Sequence, residues 1–279
     1  MNRMIGACFR AVLMVMLVAT PSLLVPGVSG ESGQIVAIVA FFAAAFTIFE
    51  YGSTYPGMVE FRDAPPFNRL RYISLFAMVF CLSVIARGQT DTTTATQFLT
   101  SIGVLVGQAI DFPFSPVRLV VSMLPDTASF TDMVLLRAAA GMAYLISLLS
   151  MATFLISLRF TNWPMQATTA FNVWINLPTF DPTTGGDVVR RLIRDARFNI
   201  LLGFLLPFIT PIIVSAAASV FGTISVVNTQ TLIWTVTAWA FLPASLFMRG
   251  IAMQRVALMI SSERKRNTRR AEENGFVTV

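Results

Sequence analysis

The sequence contains no histidine, and 19 of its 20 basic residues are arginine, leaving Lys265 as the single lysine. Without imidazole there is no Ser–His or Cys–His nucleophile pair, no histidine acid–base chemistry and no histidine ligand for haem or zinc. The two cysteines, Cys8 and Cys81, have no C-x-x-C spacing and each lies in an apolar run. They read as small hydrophobes, and neither a disulfide framework nor a metal cluster is supported. Charge is scarce too: 12% of residues are charged, against about 25% in soluble domains.

What fills the space is apolar. Hydrophobic residues make up 55% of 279 positions and the mean hydropathy is +0.71. A soluble core of this size does not consume so much apolar sequence, and several runs approach the roughly 20 helical residues that cross a bilayer. The sequence predicts an all-α, polytopic transmembrane bundle forming a single integral membrane domain over 1–279. Its spans fall near 4–25, 34–50, 70–87, 136–158, 198–221 and 231–250, with a basic tail at 251–279. The first run, with Arg3 ahead of it and Arg10 within it, is longer than a signal-peptide apolar region of about 7–15 residues, so an uncleaved anchor is expected rather than a cleaved leader.

Arginine placement sets the orientation. The 51–71 loop carries Arg62, Arg69 and Arg71; the 159–197 loop carries Arg159, Arg190, Arg191, Arg194 and Arg197. The tail adds Arg255, Arg264, Lys265, Arg266, Arg269 and Arg270. The loops at 88–97 and 222–230 have no basic residue. Basic loops stay cytoplasmic, so both termini are expected inside a cell inner membrane. Only Arg87, Arg118 and Arg137 fall on the outer half. The basic excess therefore reports topology and contact with anionic lipids, not nucleic acid.

One stretch fits no span. "GQAIDFPFSPVRLVVSML", 107–124, is apolar but holds Asp111, Pro113, Pro116 and Arg118. The run before it, 98–110, supplies about 20 Å of helix at 1.5 Å per residue, short of a 30 Å hydrocarbon core. The expectation is a re-entrant or interfacial hairpin over 98–124, broken at the prolines and buried against other helices. Asp111 and Arg118 are its candidate intramembrane pair, either a structural staple or part of a solute path. Arg137 is expected to snorkel outward or to meet Asp126 or Asp132. On the outer half Glu31, Asp91, Asp111, Asp126 and Asp132 face three arginines, a small acidic excess.

Other features have competing readings. Gly103 and Gly107 make a GxxxG, read as helix packing. Pro207, Pro211 and Pro243 are read as simple kinks, with a transporter-type broken helix as the rival. Two in-plane helices are expected in the long inner loop: one capped by Asn162, with Pro164 in its first turn and Phe171, Trp174 and Ile175 on one face, and one capped by Asp187. The second carries Arg190, Arg191, Arg194 and Arg197 opposite an apolar side; with Arg264, Lys265, Arg266, Arg269 and Arg270 these are the candidate lipid or partner contacts. The loop "YGSTYPGMVEFRDAPPFNRLRY", which follows Glu50, reads equally as a docked surface or as an aromatic interfacial loop. No phosphate-binding loop, metalloprotease motif or paired acidic motif is found, and no cofactor is indicated. The expected role is a non-enzymatic accessory, scaffold or assembly factor with a protein partner; the alternative is a small-solute channel or transporter using the hairpin and the proline-bearing spans.

Overall fold

The computed structural model describes residues 2–27, 30–63, 66–125, 128–164, 171–181, 183, 185–221 and 228–274. These form α1 (Asn2–Leu24), α2 (Gly30–Gly52), α3 (Phe67–Arg87), α4 (Thr94–Ala109), α5 (Pro116–Val121), α6 (Phe130–Thr161), α7 (Val173–Asn176), α8 (Val188–Phe221) and α9 (Thr229–Glu273). There is no strand among the described residues. Six of the helices, α1, α2, α3, α6, α8 and α9, are long and apolar enough to cross a membrane.

Local chemistry fixes where the helices start. Thr93 and Thr96 form a reciprocal capping box at α4, and Ser129 and Asp132 form another at α6, each pairing two otherwise orphan N–H groups. Ser115 Oγ accepts from Arg118 N at 3.1 Å, and Pro116 occupies the first turn of α5, where its missing N–H costs nothing. Pro116 thus opens a helix; the break lies before it, over 110–115, with Phe114 in the left-handed region at φ 64°.

α3, α6 and α9 form the centre, α4 and α5 lie on α6, α8 lies along α9, and α2 packs on α1 at the edge. Two apolar clusters result. One joins Leu17, Met78, Leu82, Ile85, Val117, Leu136, Ala140, Ile233, Val236 and Trp239. The other joins Phe61, Phe67, Phe154, Leu158, Trp163, Leu177, Leu192, Met248 and Met253.

The closest packing is made by the GxxxG. A Cβ on Gly103 would lie 2.5 Å from the Ala138 carbonyl oxygen, and one on Gly141 would lie 2.5 Å from the Gly103 carbonyl oxygen. The motif joins α4 to α6 within the chain. The prolines are also absorbed. Pro211 has no N–H to give the carbonyl four residues earlier, and the Trp239 indole N–H of α9 donates to that Pro207 oxygen at 3.0 Å. α8 and α9 are helical through all three prolines.

The inner loop differs from its sequence reading. Asn162 is not an N-cap; it ends α6 in the left-handed conformation at φ 46°. Of the expected helix after it, residues 165–170 lie outside the described residues, and the described part is the single turn α7, capped by Asn172 through the Trp174 N–H. Phe171 and Trp174 do not share a lipid face: Phe171 packs on the second cluster while Trp174 is exposed. Asp187 does accept from Arg190 N, at 3.0 Å. The helix it starts is not separate, however, but continues unbroken as α8, because no Gly or Pro separates 188–197 from the apolar run. The tail continues α9 as helix to Glu273. At 1.5 Å per residue α8 and α9 are about 51 and about 67 Å long, longer than any hydrocarbon core requires.

Candidate functional site

Charged side chains gather at the two ends of the bundle. The end carrying the 53–66 loop, α7 and the last turns of α9 is the basic end. There Glu50, buried at the close of α2, accepts from the backbone N–H groups of Gly57, Met58 and Val59 at 3.1, 3.0 and 2.9 Å. Arg62, also buried, donates to the carbonyls of Glu50, Ser53 and Thr54 at 3.1, 2.8 and 3.1 Å. The Glu50 carboxylate meets the loop's donors and the Arg62 guanidinium its acceptors, so the loop is folded around one buried acid and one buried base, each satisfied by backbone groups.

The same loop docks on the helices. Glu60 forms a fork with Arg249 of α9, Nε to Oε2 at 2.5 Å and Nη2 to Oε1 at 2.7 Å. Thr179 adds a hydroxyl to Oε1 at 2.6 Å, and Arg249 Nη1 reaches Asn199 Oδ1 of α8 at 2.8 Å. Phe61 N donates to the Asn176 carbonyl at 2.7 Å, and its ring packs on Phe67 and Trp163. The loop is ordered and docked on this chain's own helices. The Glu60–Arg249–Asn199 set was not singled out from sequence. Its one signal is Arg249 itself, a cation at the end of an apolar run that a buried acid must balance.

At the opposite end Asp111 and Arg118 do come together, Oδ1 to Nε at 3.0 Å. Arg137 joins them, Nη2 to Asp111 Oδ2 at 3.5 Å. Asp132 is committed to its capping box, and Asp126 lies outside the described residues. These contacts are close but badly directed: Asp111 Oδ1 and Arg137 Nε are buried without a hydrogen bond among the described residues. Arg118 is half exposed.

The expected lipid or partner arginines are spread along the basic end. Arg190, Arg194 and Arg197 are exposed on α8 and, with Asp187, Val189 and Ile193, line an open cleft of about 640 Å³. Arg191 instead turns inward, donating to the Asp181 carbonyl at 2.6 Å and lying over the Phe180 ring. Arg264 bonds Asp187 and Arg266 bonds Glu263, while Lys265, Arg269 and Arg270 are exposed along the tail. The Arg264 hydrogen bond, helped by the Arg190 N–H, holds the Asp187 carboxyl below its ordinary range.

Between the ends the bundle is uncharged. No Asp, Glu, Lys or Arg occurs from 11 to 30, 32 to 49, 72 to 86, 138 to 158 or 198 to 248. Serine hydroxyls there serve their own helices or the next: Ser83 donates to Val79 O, Ser150 to Ser147 O, and Ser147 to Ala240 O across α6 and α9. The buried Thr237 Oγ1, by contrast, has no hydrogen bond among the described residues. A second open cleft, about 360 Å³, lies between α5 and α8 beside Ser122, Pro211 and Ser215. No group of three potential metal ligands occurs among the described residues. Comparison with protein-family models, with curated proteins and with solved structures finds no match to this chain.

Proposed function

We propose that this chain is a multi-pass inner-membrane protein, with both termini cytoplasmic, that acts as a non-enzymatic scaffold or accessory subunit of a membrane complex. The observation that carries the reading is the uncharged, tightly packed middle. A transporter requires a polar route to the midplane, whereas here charges stop at the two ends. The buried hydroxyls of Ser83, Ser147 and Ser150 are turned to helix carbonyls, leaving Thr237 Oγ1 as a lone unpaired buried hydroxyl among the described residues. An enzyme needs polar groups converging in a cleft, and the buried acids of the basic end are saturated by the chain's own donors. The basic end faces the cytoplasm by the positive-inside rule. Arg190, Arg194, Arg197, Lys265, Arg269 and Arg270 then lie along a helical pair projecting beyond the bilayer, against anionic headgroups and a protein partner. α4, about 24 Å long at 16 residues, enters from the outer side and returns through α5 as a re-entrant unit.

A solute-conducting role is supported by one observation, the cleft between α5 and α8 beside Pro211. Vesicle flux and native co-purification separate the two. The scaffold reading expects one membrane protein retained in fixed ratio through mild-detergent purification, and vesicles that stay tight to small solutes. Protein-dependent flux, with no retained partner, would replace it by the conducting role. Orientation is tested independently: cysteines placed at Thr93 and Ser129, with Cys8 and Cys81 removed, should react equally with an impermeant maleimide from outside. Opposite reactivity would make 94–121 a crossing segment.

A further inference from the structure

Every acid in the core of the basic end already has its donors. Glu50 is held by three backbone N–H groups, and Glu60 by the Arg249 fork and Thr179. Arg71, on the second turn of α3 and largely buried, is left over. Its guanidinium lies 5.2 Å from the Phe67 ring and 5.9 Å from the Phe241 ring, and it makes no hydrogen bond or ion pair with any described residue. Two aromatic faces attract a cation but do not replace the hydrogen bonds its nitrogens had in water.

A second guanidinium stands nearby. Arg10 of α1 lies over the Tyr51 ring at 4.6 Å, and its one hydrogen bond among the described residues goes to the Gly6 carbonyl of its own helix. The Tyr51 hydroxyl accordingly has Arg10, Arg71 and Arg62 as charged neighbours, with Asp63 the acid among them, and it has no hydrogen-bond partner among the described residues. Arg62 is spent on three carbonyls and Asp63 on Arg62. The Tyr72 hydroxyl, next to Arg71, donates to the Leu13 carbonyl at 2.7 Å, one turn from Arg10. Two arginines and a phenol from α1, α2 and α3 thus converge where the nearest acids, Glu60 and Asp63, are already engaged by Arg249 and Arg62. The flanking helices expose Met4, Ile5 and Phe9 on α1 and Phe46 and Phe49 on α2, an apolar wall beside a cationic notch.

We propose that Arg10, Tyr51 and Arg71 bind the phosphate group of a lipid with a net negative headgroup, its acyl chains lying on the apolar faces of α1 and α2. Two guanidiniums and a hydroxyl match the oxygens of a phosphodiester, and a zwitterionic headgroup would bring a second cation to a site with no acid to spare. The site rests on the membrane embedding proposed above, which the maleimide labelling tests separately, and is independent of whether the protein is a scaffold.

The test is thermal unfolding of the full chain in neutral detergent, titrated with phosphatidylglycerol, phosphatidylcholine or inorganic phosphate. Phosphatidylglycerol should raise the midpoint of the unmodified protein most. Arg10→Gln and Arg71→Gln should each weaken that lipid by about tenfold, the loss of a charge-assisted contact, and Tyr51→Phe by less. Arg159→Gln, an exposed arginine at the same end, should respond like the unmodified protein. Should Arg71→Gln not fold, Arg10→Gln and Tyr51→Phe decide the matter. Unaltered lipid response in these variants would overturn the site. An equal loss in Arg159→Gln would reduce the effect to bulk charge, and an equal shift with inorganic phosphate would overturn the lipid as its source.

Discussion

The two charged ends handle the same problem differently. At the basic end each buried carboxylate meets well-aligned donors, Glu50 from its own following loop and Glu60 from Arg249, 189 residues away. At the opposite end Asp111 sits within reach of two arginines, yet one of its oxygens has no aligned hydrogen bond and Arg118 is half in solvent. A carboxylate bound by a fork and a hydroxyl fixes the geometry of everything attached to it. One held by proximity leaves its partners free to adjust. The first end is a lock that orders a loop; the second is a charge balance across a helix bend.

The largest effect should follow from opening the lock. Glu60→Ala strands Arg249, 28% exposed, and should cost about 3–5 kcal/mol, the range for breaking a buried pair, read as a drop in the detergent melting temperature. Replacing both, Glu60→Leu with Arg249→Met, should recover most of it. A loss no larger than a surface pair gives would erase the contrast between the ends.

At the opposite end Asp111→Asn should cost about 1–3 kcal/mol, since two arginines lose their anion at a partly wet site. Arg118→Gln should cost less, because Arg137 still faces Asp111. The exchange Asp111→Arg with Arg118→Asp should recover part of the loss, though the new arginine then confronts Arg137. Equal losses in the two single variants would mean that Arg137 contributes nothing.

Trp239→Phe tests the middle. It frees the Pro207 carbonyl while keeping most of the ring volume, and should cost about 1 kcal/mol, one net hydrogen bond. A cost matching Glu60→Ala would place the strongest α8–α9 tie in the middle and not at the basic end.

The smallest effect belongs to Asp187, which lies at the exposed start of α8. Its carboxyl is depressed by Arg264, so its contribution is complete above its unfolded pKa, about 3.9, and is lost as pH falls through the lower folded value. Acid titration should loosen the Arg264–Asp187 contact, read as faster proteolysis of the α9 extension, without shifting global unfolding. Asp187→Asn should remove that pH dependence.

Much of this was legible in the sequence because its causes are local. Six apolar runs, the Asp187 cap, the bend near 110–116 and the meeting of Asp111 with Arg118, seven residues on, all follow from neighbours along the chain. The extent of α8 and α9 was under-read for a physical reason: the arginine-rich turns at 188–197 read as a separate in-plane helix and those after 250 as a tail, because charge interrupts the hydropathy pattern. Yet arginine is a good helix former, and nothing between 188 and 198 stops the helix. Asn162 was misread because the same residue serves as an N-cap or as a left-handed end. The Glu60–Arg249 fork and the Arg137 contact join distant segments, and such pairing leaves no periodicity to find.

α9 has a mechanical consequence. It is one rod from Thr229 to Glu273, its first half wedged among α3 and α6, its second lying along α8 as far as the Arg264–Asp187 contact, and its last turns beyond that exposed. A tilt of about 5° about Arg249 swings the tip, 24 residues and about 36 Å away, by about 3 Å. Force applied at the tip is likewise delivered to the bundle's centre and to Arg249, bypassing α2 at the rim. Whatever grips residues 260–273 therefore holds the long arm of a lever whose fulcrum is the Glu60 fork.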